Sequence, residues 1–216
     1  MVGKRMIIIQ NYKKHVMSIS RAKKLEHFYS LCTGGKVLDV GVSGENRIEG
    51  ENIFLETYRF PSETYTGLGV QDLSVVKGNH PDKEFLTYPG DIFPFDDNQF
   101  DWVFSNAVIE HVGNDSDQLR FVNEMMRVSK NVFFTTPNKY FPVESHTNAF
   151  FIHWLTGDYF YSWCAKNRPY WSRDNLYLFG KSRLQGLMEE SHARKFEIQA
   201  NTFFGWPMTF SVVCSN

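Results

Sequence analysis

Cysteine is scarce. The three in this chain of 216 residues, Cys32, Cys164 and Cys214, lie far apart with no C-x-x-C or metal-ligand spacing. That argues against a disulfide scaffold and for a reducing compartment. Net charge is scarce too: 23 basic and 24 acidic side chains leave a formal −1. No global field draws the chain to nucleic acid or to an anionic membrane. "RAKK", Arg21 to Lys24, reads as a solvated helix face. Long apolar runs are missing. "MIII", Met6 to Ile9, is too short for the apolar centre of a signal peptide, and nothing approaches the ~20 residues of a membrane helix. These absences predict a cytoplasmic protein without a transmembrane segment. His146 and His153 lack a third ligand at convincing spacing, so no metal is expected.

What is there alternates. Residues 15–32 carry Val16, Ile19, Leu25, Phe28 and Leu31 at helical spacing, and "TGG" (Thr33 to Gly35) ends the helix. "KVLDVG" is a short apolar run closed by glycine and predicts a buried strand. A helix over "ENIFLETYRF" and a strand over "TYTGLGV" follow. Then come a short helix "DLSVVKG", capped by Asp72 and ended by Gly78, and a strand "EFLTY". After the turn-rich "PGDIFPFDDNQ", the strand "FDWVFSN" precedes an amphipathic helix, "SDQLRFVNEMMRVS". A fifth strand, "NVFFTT", stops at Pro137. Strand and helix in alternation predict an α/β, Rossmann-like fold with a mostly parallel sheet and helices on both faces.

Beyond Pro137 the character changes. "FFIHWLTGDYFYSWC" opens an aromatic-rich stretch that reads either as a satellite core covering the sheet or as a substrate lid. A helix, "KSRLQGLMEES", and two strands, "KFEIQA" and "MTFSVVC", finish the chain. A single domain is expected: a helical cover over 1–33, a cofactor-binding core over 34–138, an aromatic-rich region over 139–180 and a final helix and strand pair over 181–216.

Ligands of open α/β sheets lie across the carboxyl ends of the strands. Those ends carry Asp39 and Gly41 to Gly44; Gln71 and Asp72; Asp91 and Ile92; Ser105 and Asn106; and Thr136, Pro137 and Asn138. They are small or polar groups suited to a nucleoside.

The ordered set "VLDVG", "GDIFPFDDNQFDWVFSNAVIEHV" and "NVFFTTPNKYFPVESHT" resembles the class I S-adenosylmethionine-dependent methyltransferases. Within them it is similar to the small bacterial type 11 group, over roughly residues 34–138. "TPNKYFPVESHT" and the helical tail resemble a narrower subgroup associated with cell-surface glycan loci. The resemblance implies a seven-stranded sheet with an antiparallel C-terminal strand, and S-adenosylmethionine as cofactor with S-adenosylhomocysteine as product. By it, Gly41 lets the backbone approach the methionine part of the cofactor, and Asp39 orients that turn. Gly44 gives the loop room. Ser43, Glu45 and Asn46 stand where a later glycine is usual, as helix caps or contacts to the amino acid end. An acid after the second strand takes the ribose hydroxyls; Gln71 occupies one register and Asp72 the other, with Asp72 favoured. Asp91 accepts from the adenine amino group, Ile92 packs on the ring, and Asn106 begins the loop under the sulfonium.

A hydroxyl acceptor needs its proton removed, and His146 with Glu144 in "PVESHT" is the expected pair for it. His111 and Glu110 in "IEHV" form a second acid–base candidate, with His111 carried as catalytic; in the family such a pair usually looks architectural. His153 and Trp154 read as core or lid. The expected activity is O-methylation of a small molecule or sugar, in surface polysaccharide biosynthesis. The alternatives are a non-catalytic cofactor-binding scaffold or a methyltransferase of a quinone-like lipid. A dinucleotide oxidoreductase is disfavoured because "GVSGEN" lacks the G-x-G-x-x-G run.

Overall fold

The computed structural model describes residues 2–44 and 50–216, with side chains from Met17 onward. Seven strands form one sheet: β1 (Val37–Val40), β2 (Tyr65–Gly69), β3 (Glu84–Thr87), β4 (Phe100–Asn106), β5 (Ser129–Pro137), β6 (Lys195–Phe203) and β7 (Trp206–Ser215). Their order is β3-β2-β1-β4-β5-β7-β6. β1 to β5 are mutually parallel, and β7 runs antiparallel between β5 and β6. The order reverses between β2-β1 and β4, so the crevice at their carboxyl ends is the natural ligand position. Every residue of β1 and β2 is buried, as a sheet covered on both faces requires.

One face is covered by α1 (Val2–Leu31), α2 (Ile53–Glu56) and α3 (Ser74–Asn79). Phe28 of α1 is fully buried and meets Phe54, Trp102, Phe104 and Phe133 edge-on at 5.1–5.7 Å. A buried ring of this kind stabilises by about 1.5–3 kcal/mol over an exposed one. The other face is covered by α4 (Asp115–Val128) and α6 (Lys181–Glu190), through Phe121, Val122, Met125, Leu184 and Met188. α4 begins with a reciprocal cap: the Asn114 side chain accepts from Ser116 and Asp117 N–H, and the Asp117 carboxylate accepts from Asn114 N–H. Such a cap holds a helix start by about 1 kcal/mol.

Three expectations are corrected. Lys24 of "RAKK" is not on a solvated face; it is 6% exposed and reaches into the sheet. Leu31, expected on the apolar side of α1, is 41% exposed. The helix over "ENIFLETYRF" shrinks to one turn, Ile53–Glu56. Thr57 Oγ folds back onto the Ile53 carbonyl, and Pro61 biases the residue before it away from helix.

The aromatic stretch makes a small core of its own. α5 (Gly157–Asn167) packs Phe160 and Cys164 against Ala149 and Leu176. It also leaves Tyr140, Phe150, Phe151, Tyr159 and Tyr170 at least half exposed. The satellite core is therefore present, and its outer surface is unusually aromatic.

Candidate active site

The β1 turn is built by close approach. Gly41 has φ +101°, and a Cβ there would lie 2.3 Å from Cγ2 of Val108 in the loop after β4. The glycine is thus required by the protein's own packing, before any ligand is considered. Gly41 and Val42 N–H both donate to the Leu68 carbonyl, at 2.8 and 3.1 Å, which ties the turn to β2. At Gly44 a Cβ would meet the Asp72 carbonyl oxygen at 2.0 Å. The loop therefore lies flat on the end of β2. Asn52 clamps it with two 2.9 Å bonds: its Oδ1 accepts from Ser43 N–H and its Nδ2 donates to the Ser43 carbonyl. Glu45 and Asn46 lie outside the described residues.

Asp39 is 7% exposed and accepts from the Tyr65 hydroxyl at 2.6 Å. Burial pushes its carboxyl up to about 7, with the Tyr65 bond opposing. It lines a cavity of about 20 Å³ with Gly41, Asn52, Phe104 and Asn106, room for about one water. Asn106, at the end of β4, accepts through Oδ1 from Lys24 Nζ at 2.7 Å and from Thr135 Oγ at 2.8 Å. Burial lowers the Lys24 amine to about 8, with nearby Glu110 opposing and Arg21 adding to it. A lysine from the first helix thus fixes the strand end where the reacting groups belong.

The two candidates for the ribose are both occupied. Gln71 Oε1 accepts from Gly44 N–H at 3.2 Å. The Asp72 carboxylate accepts from Ser74 N–H and Ser74 Oγ, both at 2.9 Å, and these bonds lower its pKa. Asp72 is therefore not the expected N-cap: Leu73 holds that position without a side-chain bond, and Asp72 turns the chain one residue before it. The Gln71 and Asp72 side chains both remain exposed, and each acceptor oxygen has a second lone pair. Asp91 is exposed in the loop after β3, and Ile92 and Val70 are 64% and 61% exposed. Bare apolar side chains beside acids suit a purine's flat face and amino edge. These residues fit a nucleoside cofactor: Val70 and Ile92 for the ring, Asp91 for its amino group, Asp72 for the ribose, and the Gly41 turn with Asp39 and Asn106 for the amino acid end.

A second cluster lies past the end of β4. Ala107 takes the left-handed conformation, φ +57°, with its N–H on the Thr135 carbonyl at 3.0 Å. Non-glycine residues rarely adopt it, and such strain gathers at functional sites. The turn Ile109–His111 follows, fixed by Gln118 Nε2 on the Ile109 carbonyl. Glu110 is 1% exposed, and its Oε2 accepts from Thr136 Oγ at 3.1 Å. His111 Nδ1 lies 2.8 Å from the Asn175 carbonyl, so that nitrogen carries the proton. His146 Nδ1 lies 2.7 Å from Glu144 Oε1, and its Nε2 faces Glu110 Oε1 at 4.0 Å. Trp171 walls both imidazoles, stacked on His111 at 5.6 Å and edge-on to His146 at 5.0 Å.

Glu144 is buried and also accepts from Thr147 N–H and Thr147 Oγ. Burial alone would raise its carboxyl, but the His146 contact and the Thr147 bonds outweigh it and hold it at about 2. It is ionised at any working pH, so it anchors the imidazole and does not itself take a proton near neutrality. His153 belongs elsewhere: its Nε2 sits 2.8 Å from the Phe141 carbonyl inside the aromatic region, and burial lowers its pKa.

The structure therefore brings His146, Glu144 and His111 together, and adds Glu110 to them. Sequence reasoning missed Lys24, Asn52, Tyr65 and Val108 as supports. The expectation of no metal weighed only His146 with His153; the structure sets Glu110 and His111, about 35 residues upstream, within 4.8 Å of His146 instead. A carboxylate and an imidazole adjacent in "IEH", set against "ESH", were the signal available.

Residues 55–132 match the family model described as a methyltransferase domain. No curated protein matches the chain in sequence. Among solved structures, an S-adenosylmethionine-dependent methyltransferase from Aquifex aeolicus is similar at TM-score 0.54 and 16% identity, over 89% of this chain and 87% of that one. One from Mesorhizobium loti is similar at TM-score 0.56 and 14% identity, over 85% and 91%. Another, from Methanosarcina mazei, stands at 0.53 and 15%, over 88% and 94%. At these identities the structures establish the shared fold, and the family model's match is confined to residues 55–132. Among the described residues no helix is long and apolar enough to cross a membrane.

Proposed function

We propose that this S-adenosylmethionine-dependent methyltransferase methylates a hydroxyl of a small, sugar-like acceptor held past the end of β4, with His146 as proton acceptor and Glu144 as its anchor. When bound, the cofactor supplies a methyl group already activated on a sulfonium, so alignment provides much of the rate. The observation that carries the reading is the Glu144–His146 pair. An ionised carboxylate on Nδ1–H sets the tautomer and leaves Nε2 as the basic nitrogen. It also stabilises the imidazolium that forms when Nε2 takes the acceptor's proton. Glu110 Oε1 at 4.0 Å adds to that stabilisation. His111, held by Asn175 and stacked on Trp171, shapes the wall beside it.

Two features support a sugar, or its nucleotide-linked precursor, as the acceptor. The half-exposed Tyr140, Phe150, Phe151 and Tyr170 offer flat faces for a pyranose ring. A cavity of about 210 Å³ in the same region is lined by Lys139, Arg173 and Arg183, with Asp115, Tyr161 and Tyr177; both arginines are ion-paired, Arg183 to Asp115 and Arg173 to Asp158, which leaves Lys139 as the cation to meet a phosphate. A role in surface polysaccharide biosynthesis rests on the likeness of "TPNKYFPVESHT" to the glycan-associated subgroup.

The test is methyl transfer from radiolabelled S-adenosylmethionine to a panel of sugars and nucleotide sugars. His146→Ala is expected to lower turnover by about 10²–10⁴-fold while cofactor affinity holds within about twofold. Undiminished turnover in that variant would remove His146 as the proton acceptor.

A further inference from the structure

We infer that Glu110, His111 and His146 form a site for one divalent first-row transition-metal ion, of the Mn²⁺ or Zn²⁺ class. One donor atom from each of the three residues lies within 4.8 Å of the others. Glu110 Oε1 is buried and has no hydrogen-bond partner among the described residues, while the other oxygen of that carboxylate is satisfied by Thr136. A buried carboxylate oxygen left without a partner is costly. It points to an occupant that supplies positive charge, and it faces His146 Nε2 at 4.0 Å.

The outer contacts are those of a metal site. Each imidazole gives its Nδ1–H to a fixed oxygen, His111 to the Asn175 carbonyl and His146 to the Glu144 carboxylate. Metal-binding histidines are oriented in this way, with the remaining nitrogen turned to the ion. Bonds of about 2.0–2.2 Å would bring the donors to about 3.0–3.6 Å apart, so from separations of up to 4.8 Å the ion draws the set together by less than about 2 Å. Two imidazoles and one carboxylate favour Mn²⁺ or Zn²⁺ over Mg²⁺ or Ca²⁺ and leave open positions for water or an acceptor hydroxyl. A hydroxyl on the ion loses its proton to water more readily. In the loaded protein the ion takes over the task assigned above to His146, which becomes its ligand. What the ion does thus rests on the proposed function; whether it binds does not.

The experiment is titration of chelator-treated, dialysed protein with Mn²⁺, followed by electron paramagnetic resonance, and with Zn²⁺ by calorimetry. One equivalent is expected to bind. Glu110→Gln and His111→Gln should each weaken it at least tenfold, and Glu144→Gln by about 10–100-fold through the outer contact. Circular dichroism checks that each variant folds, and His111→Gln carries the test if Glu110→Gln does not. Absence of stoichiometric binding to the wild type, or binding unchanged in His111→Gln and Glu144→Gln, would overturn the site. Turnover that needs no ion but falls in His146→Ala would overturn the ion's role and keep the proton-acceptor reading. Stoichiometric binding without methylation of any hydroxylated acceptor would support the site and sink that reading.

Discussion

Replacing Gly41 by alanine places a methyl group 2.3 Å from Cγ2 of Val108, on a backbone held at φ +101°. Two costs follow. An L-residue at positive φ is strained by about 1–2 kcal/mol. Forcing a carbon into a packed contact adds about 1–3 kcal/mol. The turn cannot relax freely, because Gly41 and Val42 N–H are both held on the Leu68 carbonyl. The expected total is about 2–5 kcal/mol of stability. Val108→Ala in the same chain deletes the methyl that collides, so the double variant should recover the packing part and retain the conformational part. Urea denaturation of the wild type, both single variants and the double variant gives the coupling directly. Cofactor calorimetry on the same four proteins should show affinity falling in Gly41→Ala and recovering partly in the double variant. A Gly41→Ala protein within about 0.5 kcal/mol of wild type, or additive single effects, would refute the assignment of this glycine to the Val108 contact.

Two further predictions concern buried charge. Asp39 has its folded pKa raised from 3.8 to about 7, so folding disfavours its ionised form and wild-type stability falls as pH rises through that window. The full effect is up to about 4 kcal/mol, and Asp39→Asn, which still accepts from Tyr65, should flatten the slope of denaturation free energy between those pH values. An unchanged slope would reject it. Lys24 has its folded pKa lowered from 10.5 to about 8, so stability rises with pH across that interval by up to about 3 kcal/mol. Lys24→Met should abolish this rise and, by releasing Asn106, weaken cofactor binding. Retained affinity would show that the lysine serves the fold alone.

The fold was legible because its signals are local. β4 spans Phe100–Asn106 as its apolar run suggested, and β5 ends at Pro137, where the ladder loses a donor. Helix lengths were less legible where tertiary packing decides them. Thr57, Tyr58 and Phe60 leave the helical path, and Tyr58 and Phe60 pack on the core around Phe54 and Tyr65 instead. Lys24 could not be read as buried from "RAKK", since the groups that make its burial tolerable, Asn106 and the nearby Glu110, lie more than 80 residues away. The second cluster was half visible. "ESH" gave Glu144 and His146, but their meeting with Glu110 and His111 is set by β4 and β5 pairing side by side, from Asn106 with Thr135 onward. No spacing rule along the chain encodes it.

The central claim is that the carboxyl ends of β1 to β4 hold S-adenosylmethionine. Isothermal titration of the purified chain with S-adenosylmethionine and S-adenosylhomocysteine tests it most directly, with Gly41→Val as the control. One site per chain for both ligands, strongly weakened in the variant, is the predicted result. No binding of either ligand to folded wild-type protein would contradict it.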